Sequence, residues 1–195
     1  MPENIDPGIR FVDEEVRPML GAIGGCRGLS VLIDRDSGEC IATSSWDSEE
    51  SMRASMDEVE AIRARAGEVF GGSISVDEWE IALMHREHRT SEGCCSRVTW
   101  ADVEPSMPEA ALQFIRDSLP KIEQLNGFCS ISVLLNRDTG RCCITSTYDS
   151  REALEGSRAM ADQLRAAATD AAGMAIREVR EYELAMAHLH VPELV

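Results

Sequence analysis

Apolar residues recur along the chain at two different spacings, and each spacing indicates a different kind of element. Intervals of three and four residues predict one amphipathic helix in each half of the chain. The two stripes are Val12, Val16, Leu20 and Ile23, and then Leu112, Ile115, Leu119, Ile122 and Leu125. Each stripe ends at a glycine, which is a helix stop signal.

Runs rich in alternating apolar residues predict β-strands. In each half, two such runs flank an Arg-Asp-Ser/Thr-Gly turn and therefore predict a hairpin. A capping signal follows each hairpin and predicts a second helix, ending near Phe70 in the first half and near Ala172 in the second. A further strand closes each half. The predicted strands are 29–34, 39–46 and 78–85, and then 129–136, 141–148 and 181–188.

The two halves also match residue by residue. At an offset of 102, the segments 30–50 and 132–152 are identical at 12 of 21 positions. Repeats of this kind are best identified before the fold is considered, because they determine its plan. The chain is therefore predicted to be a tandem duplication, with one domain over residues 1–90 and the other over residues 94–195.

The second half contains one strand more than the first. Residues 97–103 alternate ahead of its first helix and complete the order strand–helix–strand–strand–helix–strand, the ferredoxin-like plan. The first half has too short a polar start for such a strand. Three explanations stay open: the natural chain starts earlier, another chain or the 89–95 linker fills the place, or the first half is a reduced version. The predicted fold class is α+β.

This pattern resembles the antibiotic-biosynthesis-monooxygenase-like family. The resemblance rests on the strand start at Gly28, the turn Asp34–Gly38, and the sequence Thr-Ser-Ser-Trp-Asp-Ser over 43–48. The second half repeats the last motif at Tyr148-Asp149-Ser150. The resemblance implies ferredoxin-like sheets paired in a dimeric α/β barrel, and a tandem copy implies both halves of that dimer in one chain.

The same resemblance bears on activity. The family includes cofactor-independent quinone-forming monooxygenases, haem-degrading enzymes and members without known activity. The haem-degrading branch uses a tryptophan and a histidine on the second helix. Here Ser55 and Ala64 fall at about those positions, and Ser157 and Ala166 in the second half. Haem degradation of that type is therefore disfavoured.

Composition narrows the choice of partners. The chain has 35 acidic and 19 basic residues, for a net charge of −16. This charge argues against nucleic acid and against anionic membrane surfaces, because both bind through Lys and Arg. Neither a secretory signal nor a run long enough to cross a membrane is evident, which predicts a cytoplasmic protein. We expect a monomer with internal pseudo-two-fold symmetry or a weak homodimer.

The seven cysteines form no C-x-x-C motif, so the sequence predicts neither a zinc ribbon nor a disulfide framework. A redox role for the vicinal pair Cys94–Cys95 stays open beside the simpler interpretation of incidental small residues.

His188 and His190 share a strand face, but His85 and His88 do not. Symmetry therefore gives no support to a metal site, and no metal is predicted.

Three residues are candidates for catalysis. His85 and His188 are equivalent strand-end histidines, and imidazole is the natural acid–base group near neutral pH. Asp102 is the third candidate, since a buried carboxylate on a central strand would have a raised pKa. Each has a plainer interpretation, as a half-solvated strand-end residue or as a surface carboxylate.

Three aromatic residues are candidates for ligand contact: Trp100, Trp46 and Tyr148. Trp100 lies on the predicted central strand, where an aromatic ring can stack on a planar ligand or simply fill the core.

No phosphate-binding glycine loop or nucleophile elbow occurs, so no cofactor is predicted. Two functions remain: a cofactor-independent monooxygenase acting on a small planar aromatic molecule, or a non-catalytic small-molecule-binding or structural protein.

Overall fold

The structure is a computed structural model that describes residues 2–104 and 106–194. Its elements follow the order predicted from the periodicities. The helices are α1 (Ile5–Phe11), α2 (Arg17–Ala22), α3 (Glu49–Ala54), α4 (Met56–Phe70), α5 (Pro108–Ile122), α6 (Arg151–Gly156) and α7 (Arg158–Ala172). The strands are β1 (Cys26–Ile33), β2 (Cys40–Trp46), β3 (Glu80–Arg86), β4 (Cys95–Asp102), β5 (Phe128–Leu135), β6 (Arg141–Tyr148) and β7 (Ala175–Leu189).

The first apolar stripe forms α1, a π-helical segment Val12–Val16 and α2 without a break. The wide π turn lies just before Pro18, a residue that has no N–H for the helical ladder. The second stripe forms α5, with Pro120 inside it. None of the helices in the described part of the chain combines the length and the apolar character needed to cross a membrane.

Serine residues cap the helices that follow both hairpins. Ser48 accepts a hydrogen bond from the N–H of Ser51, and Ser150 accepts one from the N–H of Ala153. The sequence predicts these caps one residue earlier, at the aspartates. In each half a turn then separates two helices, at Ser55 and at Ser157.

The seven strands hydrogen-bond in the order β2-β1-β7-β4-β6-β5-β3. Within it, the run β7-β4-β6-β5 has the strand order of a ferredoxin-like fold whose four strands are β4, β5, β6 and β7. The α+β, ferredoxin-like fold class is thus confirmed, and a tandem pseudo-dimer is consistent with it. Among the described residues no strand precedes α1.

The chain packs as two compact units. The first comprises Met1–Val76 with Leu184–Val191, and the second comprises Asp77–Glu183 with Pro192–Val195. The closing strand of the first half, β3, therefore belongs to the second unit, where it pairs antiparallel with β5. Buried backbone groups need partners, and β5 offers β3 a free edge. The domain boundary at residues 90–94 stays a prediction, because these units record packing and not the repeat.

Each unit has its own apolar core. In the first unit, helices α1, α2 and α4 cover β1, with Ile5, Val31 and Ile33 at most 1% exposed. In the second unit, α5, α6 and α7 cover one face of β4, β5 and β6. That second core holds the cavity described next.

Candidate functional site

A cavity of about 90 Å³ lies in the second unit, between the sheet and the helices α5 and α7. Alternation along β4 places Arg97 and Thr99 on this helix-facing side. The lining is mostly apolar, with a few hydroxyl groups and two arginines. It consists of Arg97, Thr99, Phe114, Ile115, Ser118, Ile122, Leu125, Ile131, Ile144, Ser146, Tyr148, Ala161, Leu164, Arg165, Ala168, Met174 and Ile176.

Arg97 supplies the buried charge of the cavity wall. Its side chain is 2% exposed and pairs with Glu181, with Nη2 2.8 Å from Oε1. Nε donates to the same carboxylate, Nη1 donates to Ser157 Oγ at 2.8 Å, and Nη2 also donates to the Leu154 carbonyl at 2.8 Å. These bonds engage four of the five guanidinium N–H groups. The turn at Ser157 thus has a definite role, because it holds the guanidinium.

Glu181 is held in its charged form by two arginines. Arg158 donates to its Oε2 at 2.6 Å, and Arg97 donates to its Oε1. The hydrogen bond from Arg158 and then the contact with Arg97 lower the pKa of Glu181 to about 2, against the opposing effect of burial. The Arg97–Glu181 pair is therefore charged at neutral pH, and the Glu181 carboxylate has no proton to transfer to a bound molecule.

Tyr148 is the predicted ligand contact that does line the cavity. It is buried at the end of β6, where the guanidinium of Arg97 lies 6.0 Å from its ring centroid. Phe128 meets the same ring edge-on at 6.0 Å. The tyrosine thus supplies a rigid aromatic wall beside the buried cation.

Trp100 lies on the other face of β4 from Arg97 and Thr99. Its ring meets Tyr182 edge-on, with centroids 6.4 Å apart. Strand alternation assigns the helix-facing side to its odd-numbered neighbours, so Trp100 is not among the residues that line this cavity. Trp46 packs against the core of the first unit, and its Nε1 donates to Ser44 Oγ at 3.3 Å. Ligand roles for both tryptophans stay predictions.

The three predicted catalytic residues lie apart from the cavity. Asp102 forms an ion pair with Arg177 at 2.6 Å, at the surface. His188 is exposed on the part of β7 that belongs to the first unit. None of the three is among the described residues that line the cavity. Their catalytic roles stay predictions, and the structure does not bring them together with the cavity lining.

His85 lies in an acidic cluster of the second unit. Its ring is 15% exposed, with Nδ1 2.8 Å from Glu193 Oε1 and Nε2 2.9 Å from Glu123 Oε1. The contact at Nε2 is close, but it lacks the geometry of a hydrogen bond. The ring also stacks on Phe128 at 6.4 Å. The His85 ring thus lies between Glu193 and Glu123, the residue that follows α5, and a catalytic role for it stays a prediction.

Sequence reasoning missed Arg97 and Thr99. The signal was present, since both lie on the predicted strand 97–103 and alternate there with the apolar residues Val98 and Trp100. An arginine at such a position needs an internal partner. That partner, Glu181, lies 84 residues away along the chain.

Several solved structures share the fold of this chain. An anthrone oxidase-like protein has a TM-score of 0.67 with 20% identity, over 97% of this chain and 90% of its own. A ferredoxin-fold protein related to antibiotic biosynthesis monooxygenases, from Listeria monocytogenes, has a TM-score of 0.51 with 10% identity, over 86% and 85%. A haem-degrading enzyme from Listeria monocytogenes has a TM-score of 0.52 with 8% identity, over 88% and 93%. The chain therefore has the monooxygenase-like ferredoxin fold.

Sequence relatives give the family more closely. The chain is 47% identical to Uncharacterized protein Rv2557 of Mycobacterium tuberculosis, over 99% of this chain and 87% of that protein. It is 46% identical to Uncharacterized protein Rv2558 of the same organism, over 100% of this chain and 83% of that protein. The chain belongs to the family of these mycobacterial proteins. No protein-family model matches it.

Proposed function

We propose that this protein binds a small, largely apolar molecule in the cavity between the sheet and helices α5 and α7, without turning it over. The observation that carries this proposal is the composition of the cavity wall. Apolar side chains surround the space, and a few fixed polar groups face it, which is the usual constitution of a ligand site. The remaining N–H of Arg97 and the Thr99 hydroxyl would orient a polar substituent of the ligand.

The size of the cavity limits the ligand. At about 90 Å³ it is smaller than the space of about 150 Å³ that accepts a benzene ring in an engineered apolar core. Pockets for drug-sized molecules measure roughly 300–1,000 Å³. We therefore expect a molecule of about one ring, admitted by small movements of α7, in preference to a three-ring aromatic compound.

Cofactor-independent oxygenation is the second candidate function, since the sequence resemblance includes such enzymes. It requires a base within hydrogen-bond reach of the substrate. Among the described residues lining the cavity, the ionisable side chains are Arg97, Arg165 and Tyr148. Arginine does not deprotonate, and the described lining contains no histidine or carboxylate to serve as a base beside Tyr148, so the wall favours binding over proton abstraction.

A calorimetric titration tests the proposal. Single-ring phenols and three-ring anthrones would be titrated into the protein and into two variants that add a phenyl group to α7. Ala161→Phe fills the cavity, whereas Ala166→Phe adds the same group at an exposed position of the same helix. We expect single-ring compounds to bind the parent and Ala166→Phe, and binding to be lost in Ala161→Phe.

Two results would contradict the proposal. Binding that survives in Ala161→Phe would place the ligand elsewhere. Oxygen consumption above the spontaneous oxidation of the anthrone, abolished by Ala161→Phe, would favour the oxygenase function over simple binding.

A further inference from the structure

His88, Cys129 and Asp149 form a second side-chain cluster in the second unit. Their donor atoms all lie within 4.8 Å of one another. His88 Nε2 is 2.7 Å from Asp149 Oδ1. Imidazole, thiolate and carboxylate are the ligands that zinc uses in proteins, at bond lengths of about 2.0–2.3 Å. Tetrahedral bonds of that length separate donors by roughly 3.5 Å, so small side-chain rotations suffice to surround one ion.

The backbone holds these three residues in place. The Cys129 carbonyl accepts the N–H of Glu87 at 2.9 Å, and its thiol donates to the His88 carbonyl at 3.3 Å. The N–H of Asp149 donates to the Gly127 carbonyl at 2.8 Å. Cys129 also lies at an irregularity in the pairing of β5 with β6, where a bulge turns a side chain away from its normal direction. The donors are therefore positioned before any ion arrives.

A second thiol lies beside the first. Cys94 and Cys129 are both fully buried. Ser91 donates its backbone N–H to the Cys94 sulfur at 3.4 Å. Cys94 is not among the three donors that lie within 4.8 Å of one another, so the fourth ligand position of a zinc ion is left to water.

The first unit has equivalent backbone positions, and a different side chain occupies one of them. At the offset of 102, Arg27 corresponds to Cys129 and Asp47 to Asp149. Arg27 lies at the matching irregularity of the β1–β2 pairing, and its carbonyl accepts the N–H of His190 at 2.8 Å. There the guanidinium fills the space beside the carboxylate, 3.1 Å from Asp47. In the second unit a thiol replaces that cation.

We propose that a divalent metal ion of the zinc class binds to His88, Cys129 and Asp149, with a water molecule as the fourth ligand. The ion takes the place that Arg27 occupies in the first unit and joins the loop after β3 to β5 and β6. Binding exchanges the proton of the Cys129 thiol for a metal–sulfur bond and releases that proton to solvent. This site is independent of the cavity and of the proposed function.

The test is a titration of the reduced, metal-free protein with Zn²⁺ in competition with a chromophoric chelator. Cobalt(II) serves as the spectroscopic probe, because thiolate ligation gives a charge-transfer band in the near ultraviolet. We expect one Zn²⁺ per chain and a thiolate band with Co²⁺. Removing a ligand in His88→Asn, Asp149→Asn or Cys129→Ser should weaken affinity by more than about tenfold, and Cys129→Ser should diminish the band.

The first unit supplies matched controls. His190→Asn, Asp47→Asn and Cys40→Ser change the same residue types outside the cluster and should leave Zn²⁺ affinity unchanged. His88 and Asp149 are about half exposed, at 46% and 43%, so their variants should fold even if Cys129→Ser does not. Circular dichroism checks this.

Three results would overturn the site. One is the absence of stoichiometric Zn²⁺ binding at micromolar concentration. Another is parent-like affinity in folded His88→Asn and Asp149→Asn. The third is peptide mapping that finds a Cys94–Cys129 disulfide in metal-free protein as isolated, which would make the cluster a thiol pair beside a His–Asp ion pair.

Discussion

Arg97 and Glu181 form an ion pair in which Nη2 of the arginine lies 2.8 Å from Oε1 of the glutamate. The Arg97 side chain is buried, with 2% of its surface exposed. The pair joins β4 to β7 and, through Ser157 and the Leu154 carbonyl, to the turn between α6 and α7. The wall of the cavity and the packing of the second unit therefore depend on the same side chain.

Replacing Arg97 should destabilise the protein strongly. Arg97→Met removes the hydrogen bonds that the guanidinium donates to Ser157 Oγ and to the Leu154 carbonyl, and it removes one partner of Glu181. Removing one member of a buried pair costs about 3–5 kcal/mol. Arg158→Met removes the exposed partner of the same carboxylate and should cost less than about 1 kcal/mol. Urea unfolding of both variants measures the difference.

The double variant Arg97→Met/Glu181→Leu refines this prediction. Replacing both members of a buried pair by apolar residues is often close to neutral, so it should be more stable than Arg97→Met alone. Equal stability of Arg97→Met and Arg158→Met would show that the buried pair has no special role.

Acid should remove the contribution of Glu181. Its pKa is about 2 in the folded protein, against an ordinary value of 4.5. A carboxyl group with a lowered folded pKa contributes stability that is fully present above the unfolded value and is lost as the pH falls through the folded value. Above pH 4.5, the free energy of unfolding of the parent should therefore exceed that of Glu181→Gln by its largest amount. This difference should shrink as the pH falls towards 2.

Urea unfolding between pH 2 and pH 7 tests this closing gap. Glu155→Gln is the matched control, because Glu155 lies 3.8 Å from the same Arg158 at the exposed surface. That variant should differ little from the parent throughout. A gap for Glu181→Gln that stays constant down to pH 2 would contradict the assignment.

Gly140 should tolerate no side chain. Its φ is +71°, and a Cβ atom there would lie 2.1 Å from the Val103 carbonyl oxygen, which is backbone and cannot move aside. Gly173 has a φ of +63°, but the position that its Cβ atom would take is open space. Gly173→Ala should therefore lower the free energy of unfolding only by the cost of holding alanine in the left-handed conformation, about 1–2 kcal/mol.

Gly140→Ala adds the collision to that cost and should reach about 3 kcal/mol or more. Thermal and urea unfolding of the two variants give the comparison. If the two alanine variants are equally stable, the contact between the β5–β6 turn and the end of β4 is looser than the structure indicates.

The sequence by itself determined the local structure. Helical stripes, Arg-Asp-Ser/Thr-Gly turns and capping residues act over a few residues, so α5, α7 and both hairpins are where the periodicities predict them. Serine instead of aspartate caps α3 and α6, because both residue types are acceptable caps and only the exact backbone angles choose between them. The ferredoxin-like order of the second half also follows from the sequence.

The tertiary structure decided which strands and which side chains contact one another. The pairing of β3 with β5, the meeting of Arg97 with Glu181, and the cluster of His88 with Cys129 and Asp149 join residues between 41 and 84 positions apart. A sequence pattern specifies which face of a strand a residue occupies, but not which strand lies beside it. The free edge of β5 and the alternation of β4 settle that choice, through the need of buried backbone and charged groups for partners.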